Sequence, residues 1–242
     1  MKAMELIEVE SFSMLRTPSF CDCKVLLIAG GKPPSDAWLE ATARCFDVWV
    51  ADRGVTYCRK LNVIPKAIVG DGDSSPLEDW AWAKEAGAKV YRYPKDKDYT
   101  DLQLALMQIS RSYGRSVSVF VTAGLGGRLD HSLSNIFSLQ WAKKRGVDAA
   151  GFLDEEESFI LLRGGEELKL HFNNKPLAIS LLSLTPSSHG VSIKKVKWEL
   201  DNATLRLDEP FAVSNELVSD EREVDLKVDS GCVGVYICLG PK

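Results

Sequence analysis

The chain has 242 residues, of which 45% are hydrophobic and 26% charged, a globular composition that excludes a disordered or fibrous protein. Thirty Lys and Arg against thirty-four Asp and Glu leave a formal charge of −4, so there is no electrostatic footprint for nucleic acid. The longest apolar runs, such as Val25 to Ala29, are too short to span a bilayer, and no membrane partner is expected.

Residues 1–20 carry Glu5, Glu8 and Glu10 without an uninterrupted apolar core. They do not read as a signal peptide, and the sequence predicts a flexible N-terminal arm there. From residue 21 to 154, short β-rich runs alternate with helical patterns. The runs are Lys24–Ala29, Val48–Asp52, Ala67–Val69, Lys89–Tyr93, Val117–Thr122 and Asp148–Leu153. Most are continuously apolar, as strands covered on both faces are. Helices are predicted over Asp36–Phe46, Val55–Leu61, Pro76–Ala86, Asp101–Tyr113 and Leu133–Arg145. Ser75 before Pro76 reads as an N-cap, and Gly87, Gly114 and Gly146 as stops. Strand–helix alternation predicts a doubly wound, mostly parallel α/β domain with its ligands at the carboxyl ends of the strands.

Over residues 155–242 the helical period disappears. Ser158–Leu162, Gly164-Gly165 and Glu167–Phe172 read as a hairpin with a glycine turn. Further runs are Leu177–Leu184, Val191–Leu200, Ala203–Leu207, Glu223–Val228 and Val233–Cys238. Turn signals at short spacing predict an antiparallel β-sandwich. Alternation in Val191–Leu200 sets Lys197 and Glu199 on one face and Trp198 on the other. The six cysteines, Cys21, Cys23, Cys45, Cys58, Cys232 and Cys238, include no CxxC pair. A chain this long buries a core without staples, so they read as reduced thiols of a cytoplasmic protein.

Three polar constellations fall at predicted strand ends. Gly70-Asp71-Gly72-Asp73-Ser74 follows an apolar run. In extended chain, Asp71 and Asp73 point the same way with Cα atoms roughly 6.5 Å apart, so they can converge on one hard cation, or simply form a turn. An EF-hand is excluded, because its twelfth position is Trp82. Asp96-Lys97-Asp98-Tyr99-Thr100-Asp101 opens a helix. Its acids and Thr100 suit a cap, and Asp98 and Asp101 can equally complete the metal site. Gly124-Leu125-Gly126-Gly127-Arg128-Leu129-Asp130-His131 suits a loop that approaches phosphate. Arg128 offers a fork for phosphate oxygens, Asp130 can orient Arg128 or hold a ligand, and His131 can cap the next helix. This loop is not a Walker A motif, and Gly30-Gly31 after the first strand is too short for a dinucleotide fingerprint.

Taken together, these segments resemble the thiamine pyrophosphokinase family over residues 24 to 238. Ala51-Asp52-Arg53-Gly54 resembles the family's ADGG. Pro65 with Gly70–Ser74 resembles P…GDFDS, and Lys97–Asp101 resembles KDxTD. Gly127–His131 with Asn135 resembles GRxDH…N. Lys197-Trp198 and Ser214-Asn215 resemble the KW and SN elements.

The resemblance implies an N-terminal α/β domain and a C-terminal β-sandwich in a homodimer. It also implies transfer of pyrophosphate from ATP to the hydroxyethyl group of thiamine, with Mg²⁺ and release of AMP. Asp71, Asp73 and Asp101 would hold magnesium, and Asp71, Asp98, Arg128 and Asp130 would serve the reaction. Asp52, Arg53, Gly54, Thr100, Gly126, Gly127 and Arg128 would hold the nucleotide. Trp198, Ser214 and Asn215 would hold thiamine, with the Trp platform supplied by the partner subunit.

Arg53 stands where the family has glycine, Gly72 where it has Phe, Val196 where glycine precedes KW, and Glu199 where proline follows. Pyrophosphoryl transfer to another alcohol, such as a hydroxymethylpterin, and a non-catalytic thiamine- or nucleotide-binding regulator are the alternative readings. The Trp198 and Ser214-Asn215 elements favour thiamine over a pterin, and the complete set of expected metal-site aspartates favours an enzyme over a regulator.

Overall fold

The computed structural model describes residues 4–17, 23–114 and 117–240. Its elements in chain order are β1 (Glu5–Glu8), β2 (Phe12–Thr17), β3 (Cys23–Ile28), α1 (Asp36–Ala43), β4 (Asp47–Ala51), α2 (Gly54–Leu61), β5 (Ala67–Gly70), α3 (Leu77–Glu85), β6 (Lys89–Arg92), α4 (Asp101–Tyr113), β7 (Val117–Thr122), α5 (Leu129–Lys143) and β8 (Asp148–Leu153). Seven strands follow: β9 (Glu157–Arg163), β10 (Glu166–Phe172), β11 (Ala178–Ser183), β12 (Ser187–Lys194), β13 (Leu200–Arg206), β14 (Glu223–Val228) and β15 (Cys232–Cys238). Contacts divide the chain into two units, one of residues 21–154 and one of residues 155–242 joined by 1–20.

In the first unit the strands pair in the order β8-β7-β3-β4-β5-β6, every pair parallel. The interior strands are apolar on both faces because helices cover both. The chain steps from β3 to β6 in one direction, then returns across the sheet to β7 on the other side of β3. Right-handed crossovers therefore put α1 to α3 on one face and α4 and α5 on the other. The strand order reverses between β3 and β7, and the crevice outside their carboxyl ends is where such sheets bind ligands.

The helix α4 begins and ends where the sequence predicts. Thr100 accepts from the Gln103 amide (3.2 Å), and the Gln103 side chain accepts from the Thr100 amide (3.1 Å), a reciprocal cap. By contrast, α5 starts at Leu129, four residues before the predicted Leu133, so Asp130 and His131 lie in its first turn. Ser75 is not the cap of α3. Its hydroxyl accepts from Trp80 Nε1 (2.8 Å), and Pro76 takes the N-cap position.

The second unit is antiparallel throughout. One sheet runs β1-β2-β10-β14-β12-β13, and β11, β15 and β9 pair in that order. β9 lies close to β10 and β14, and β11 to β13, and the apolar side chains of these strands are buried, so the two layers enclose a core. Two expectations are corrected here. Gly164-Gly165 does not close a hairpin: β9 pairs with β15, while β10 pairs with β2 and β14, so the glycines turn the chain from one layer to the other. Residues 5–8 and 12–17 are strands rather than a loose arm. Both alternate buried and less buried side chains, and β2 pairs with β10 from Phe12 opposite Phe172 to Thr17 opposite Glu167. Residues 1–3 and 18–20 of the predicted arm, and Cys21, lie outside the described residues.

Glu5 and Arg16 face each other in the β1–β2 register and form a buried ion pair (3.0 Å). Arg16→Ala is expected to lower unfolding free energy by ~3–5 kcal/mol, because it takes the guanidinium away from a buried carboxylate. Chemical denaturation checks this, and an unchanged midpoint would mean that the N-terminal strands are dispensable.

Candidate active site

The acidic site is assembled from three successive segments of the first unit. Asp52 follows β4, Asp71 follows β5, and Asp101 is the first residue of α4. Each offers a carboxylate oxygen, and these oxygens lie within 4.8 Å of one another. Asp52 adopts φ +43°, a left-handed conformation that Asp tolerates better than most residues. Its Oδ1 accepts from the Gly72 amide (3.0 Å) and its Oδ2 from the Ser74 hydroxyl, so it holds the acidic loop from below. Asp71 Oδ1 accepts from the Asp73 amide (3.1 Å), and its Oδ2 accepts from the Lys97 ammonium. The same ammonium lies 3.2 Å from Asp101 Oδ1, a buried atom that makes no hydrogen bond.

The charges respond to this crowding. Burial pushes the Asp71 carboxyl up, but Lys97 and the Asp73 amide outweigh it and hold the group below the ordinary range. Burial, with the neighbouring Asp71 and Asp52 charges, pushes Asp101 up despite Lys97. Burial opposes the Lys97 charge, yet its two carboxylate partners raise it.

Of the expected ligands Asp71, Asp73 and Asp101, the structure brings Asp71 and Asp101 together but not Asp73. Asp73 turns its carboxylate to Lys95 (2.9 Å), and Asp52, expected at the nucleotide, joins the cluster instead. The donor set fits magnesium: three carboxylates without His or Cys suit a hard cation, and Asp101 Oδ1 has unspent acceptor capacity. Asp98 is exposed. The Thr100 hydroxyl is engaged in the cap of α4.

Next to the cluster, at the switch point, the loops after β3 and β7 lie side by side. The Gly31 amide donates to the Ala123 carbonyl (2.8 Å). Gly126 and Gly127 have φ of +78° and +76°, while a Cβ at Gly127 would meet nothing within 4 Å. Glycine is required there for backbone conformation, not for space. Asn135 donates to the Gly124 carbonyl (2.7 Å) and pins this loop to α5. Gly54 opens α2 beside the carboxyl end of β3, and Arg53, exposed, precedes it. Gly30-Gly31 thus takes part in the crevice although its sequence matches no fingerprint. Lys97 was legible as part of a charged run and of the KDxTD-like element, without a role of its own.

Arg128 sits at the N-cap of α5 and forms a two-pronged pair with Asp130, Nε to Oδ1 (3.1 Å) and an Nη to Oδ2 (2.6 Å). Both side chains are exposed, and the guanidinium holds the Asp130 carboxyl down at about 2. If Arg128 releases this partner to grip phosphate, Arg128→Lys should lower kcat/KM for the nucleotide about tenfold, since charge stays but the fork is lost. Wild-type kinetics in both Arg128→Lys and Arg128→Ala would leave it a solvent-screened surface pair.

At the Gly72 departure, φ is +75°, and a Cβ would stand 3.2 Å from an Nη of Arg92. The loop is stiffened by another route: Arg92 Nε donates to the Asp71 carbonyl (3.3 Å), and its guanidinium stands over the Trp80 ring.

In the second unit, Trp198 lies in the loop between β12 and β13, not within the strand expected over Val191–Leu200. Bulges in the β12–β13 register and a positive φ at Lys195 end the extended run early. The expected alternation fails with it, because the Lys197 ammonium lies over the Trp198 ring, 4.6 Å from its centroid. Trp198 is 54% exposed and borders a hollow of about 110 Å³ lined also by Leu181, Ile193, Phe211 and Asn215. Asn215, expected to touch thiamine, spends its amide on the loop: Oδ1 accepts from the Trp198 amide (3.1 Å), and Nδ2 donates to the Trp198 carbonyl (2.7 Å). Ser214 is exposed at φ +57°.

Fold and site together define a class: a doubly wound α/β domain joined to an antiparallel β domain, with an acidic strand-end site suited to phosphate transfer. The family model described as "Thiamin pyrophosphokinase, catalytic domain" matches residues 38–150, and that described as "Thiamin pyrophosphokinase, vitamin B1 binding domain" matches residues 167–233. The chain belongs to the thiamin pyrophosphokinase family and is an enzyme that converts thiamine to thiamine diphosphate. It is 26% identical to a thiamine pyrophosphokinase of Bacillus subtilis over 193 residues, covering 79% of this chain and 88% of that protein. A Caenorhabditis elegans relative is also 26% identical, over 70% of this chain and 68% of its own. Solved thiamine pyrophosphokinases from Bacillus subtilis (TM-score 0.73, 22% identity, 89% and 98% of the two chains) and Candida albicans (TM-score 0.74, 18% identity, 89% of each) share the fold.

Proposed function

We propose that the enzyme draws its pyrophosphate from ATP, releases AMP, and uses magnesium held by Asp52, Asp71 and Asp101. The observation that carries this reading is the convergence of those three carboxylates, from two strand ends and a helix start, beside the glycine loops of the switch point. When bound, magnesium supplies charge neutralisation on the donor phosphates and fixes their geometry. The remaining work falls to the chain. The Gly30-Gly31 and Gly126-Gly127 backbones let phosphate oxygens approach, and Arg128 turns its fork from Asp130 to them. The thiamine hydroxyl then attacks the β-phosphorus in line with the departing AMP oxygen, a step governed by positioning and charge. Its proton goes to the exposed Asp98 rather than to Asp71, whose carboxylate is committed to the metal.

Trp198 serves as a platform for the cationic ring system, Ser214 borders it, and Asn215 positions the platform through the Trp198 backbone. The hollow beside Trp198, about 110 Å³, is small against the roughly 300–1,000 Å³ of complete ligand pockets. The family resemblance supports a composite site in a homodimer, with the platform of one subunit serving the acidic cluster of the other. A cytoplasmic location is in keeping with the free thiols of Cys23, Cys45, Cys58, Cys232 and Cys238.

Incubation with ATP, Mg²⁺ and thiamine should yield AMP and thiamine diphosphate in equal amounts, with no turnover of a hydroxymethylpterin. Product formation from the pterin alone, or none from either, would overturn the reading.

A further inference from the structure

We propose that Lys97 is a built-in counter-ion of the acidic cluster: its ammonium holds the position of a divalent cation between Asp71 and Asp101 and must withdraw when the metal enters. This makes Lys97 a positioning residue that sets metal affinity, and it rests on the assignment of Asp52, Asp71 and Asp101 as the metal's ligands.

Three carboxylates within 4.8 Å of one another repel, and their partial burial weakens solvent screening. Lys97 touches two of the three, Asp71 Oδ2 directly and Asp101 Oδ1 at 3.2 Å. Its side chain is only 12% exposed, so this is an enclosed placement rather than a passing surface contact. Lys95 differs: its side chain is 78% exposed, and its partner is Asp73, outside the cluster.

A divalent cation needs the same lone pairs that face the Lys97 ammonium, and the two positive charges repel each other at that spacing. Metal binding is then an exchange, one cation for another. An empty site keeps its carboxylates together without collapsing or splaying. Because the ammonium must be displaced, metal arriving with an anionic nucleotide is favoured over metal alone, since phosphate oxygens can receive the displaced charge.

The test is a titration of the nucleotide-free protein with Mn²⁺, followed by electron paramagnetic resonance of the free ion. Wild type, Lys97→Met and Lys97→Arg are compared, each with and without Asp101→Asn, after thermal melts establish that they are folded. The expected result is that Lys97→Met binds Mn²⁺ at least ~10-fold more tightly than wild type, that Lys97→Arg stays near wild type, and that Asp101→Asn removes the tight site. Equal or weaker binding by Lys97→Met at a site still dependent on Asp101 would overturn the counter-ion role and leave the metal assignment standing. Binding indifferent to Asp101→Asn in every background would overturn the metal assignment itself. Should Lys97→Met fail to fold, Lys97→Gln carries the same comparison.

Discussion

Replacing Asp52, Asp71 or Asp101 singly by Asn should lower turnover by at least ~10²-fold, about 2.7 kcal/mol of transition-state stabilisation. Each change keeps side-chain size and removes one charge from a cluster whose oxygens lie within 4.8 Å. Asp52→Asn carries a second effect, because Asp52 also anchors the Gly72 amide and the Ser74 hydroxyl. Asp73→Asn should cost less than any of the three, since its carboxylate faces Lys95. Steady-state kinetics at saturating ATP and thiamine, with Mg²⁺ varied, rank the four variants. Near-normal turnover in all of the first three would remove the metal assignment, and a loss in Asp73→Asn as large as theirs would return Asp73 to the ligand set.

Trp198→Ala should raise the KM for thiamine at least ~10-fold, from lost stacking and cation–π attraction, while the KM for ATP changes little. The melting temperature should fall by only a few degrees, because the ring is half-exposed. A core tryptophan would instead cost ~3–5 kcal/mol on truncation. The Lys197 ammonium already over the ring adds a competitor: Lys197→Ala should tighten, not weaken, the hold on a cationic substrate if both use the same ring face. Mixing Trp198→Ala with Asp71→Asn subunits should restore activity if the platform serves the partner's site. An equal rise in both KM values, or an unfolded Trp198→Ala variant, would assign the residue to packing.

What the sequence made legible was local. The reciprocal cap on Thr100 and Gln103 and the apolar period behind it define α4, and continuous apolar runs define β7 and β8 to the residue. What escaped depends on distant partners. Residues 5–8 and 12–17 alternate, but their partner strand β10 lies about 150 positions away, and their carboxylates drew attention first. Gly164-Gly165 looks the same in a hairpin as in a corner between layers. Asp71 and Asp101 stood out as acidic candidates within their own motifs. That Asp52 joins them did not, because it comes from a neighbouring strand, and the Lys97 contacts did not, because its partners lie four and twenty-six positions away.

The placement of β2 between β1 and β10 has a consequence for the birth of the chain. Everything the α/β unit needs is contiguous, so its sheet can close once residue 154 has left the ribosome. The six-stranded sheet of the other unit is begun by the first strands made and completed only by β14, near residue 228. During that interval β1 and β2 wait with an open edge, and loop closure across an entire intervening domain must precede their burial. The acidic cluster can therefore be assembled on the nascent polypeptide while the fold around Trp198 is still unfinished.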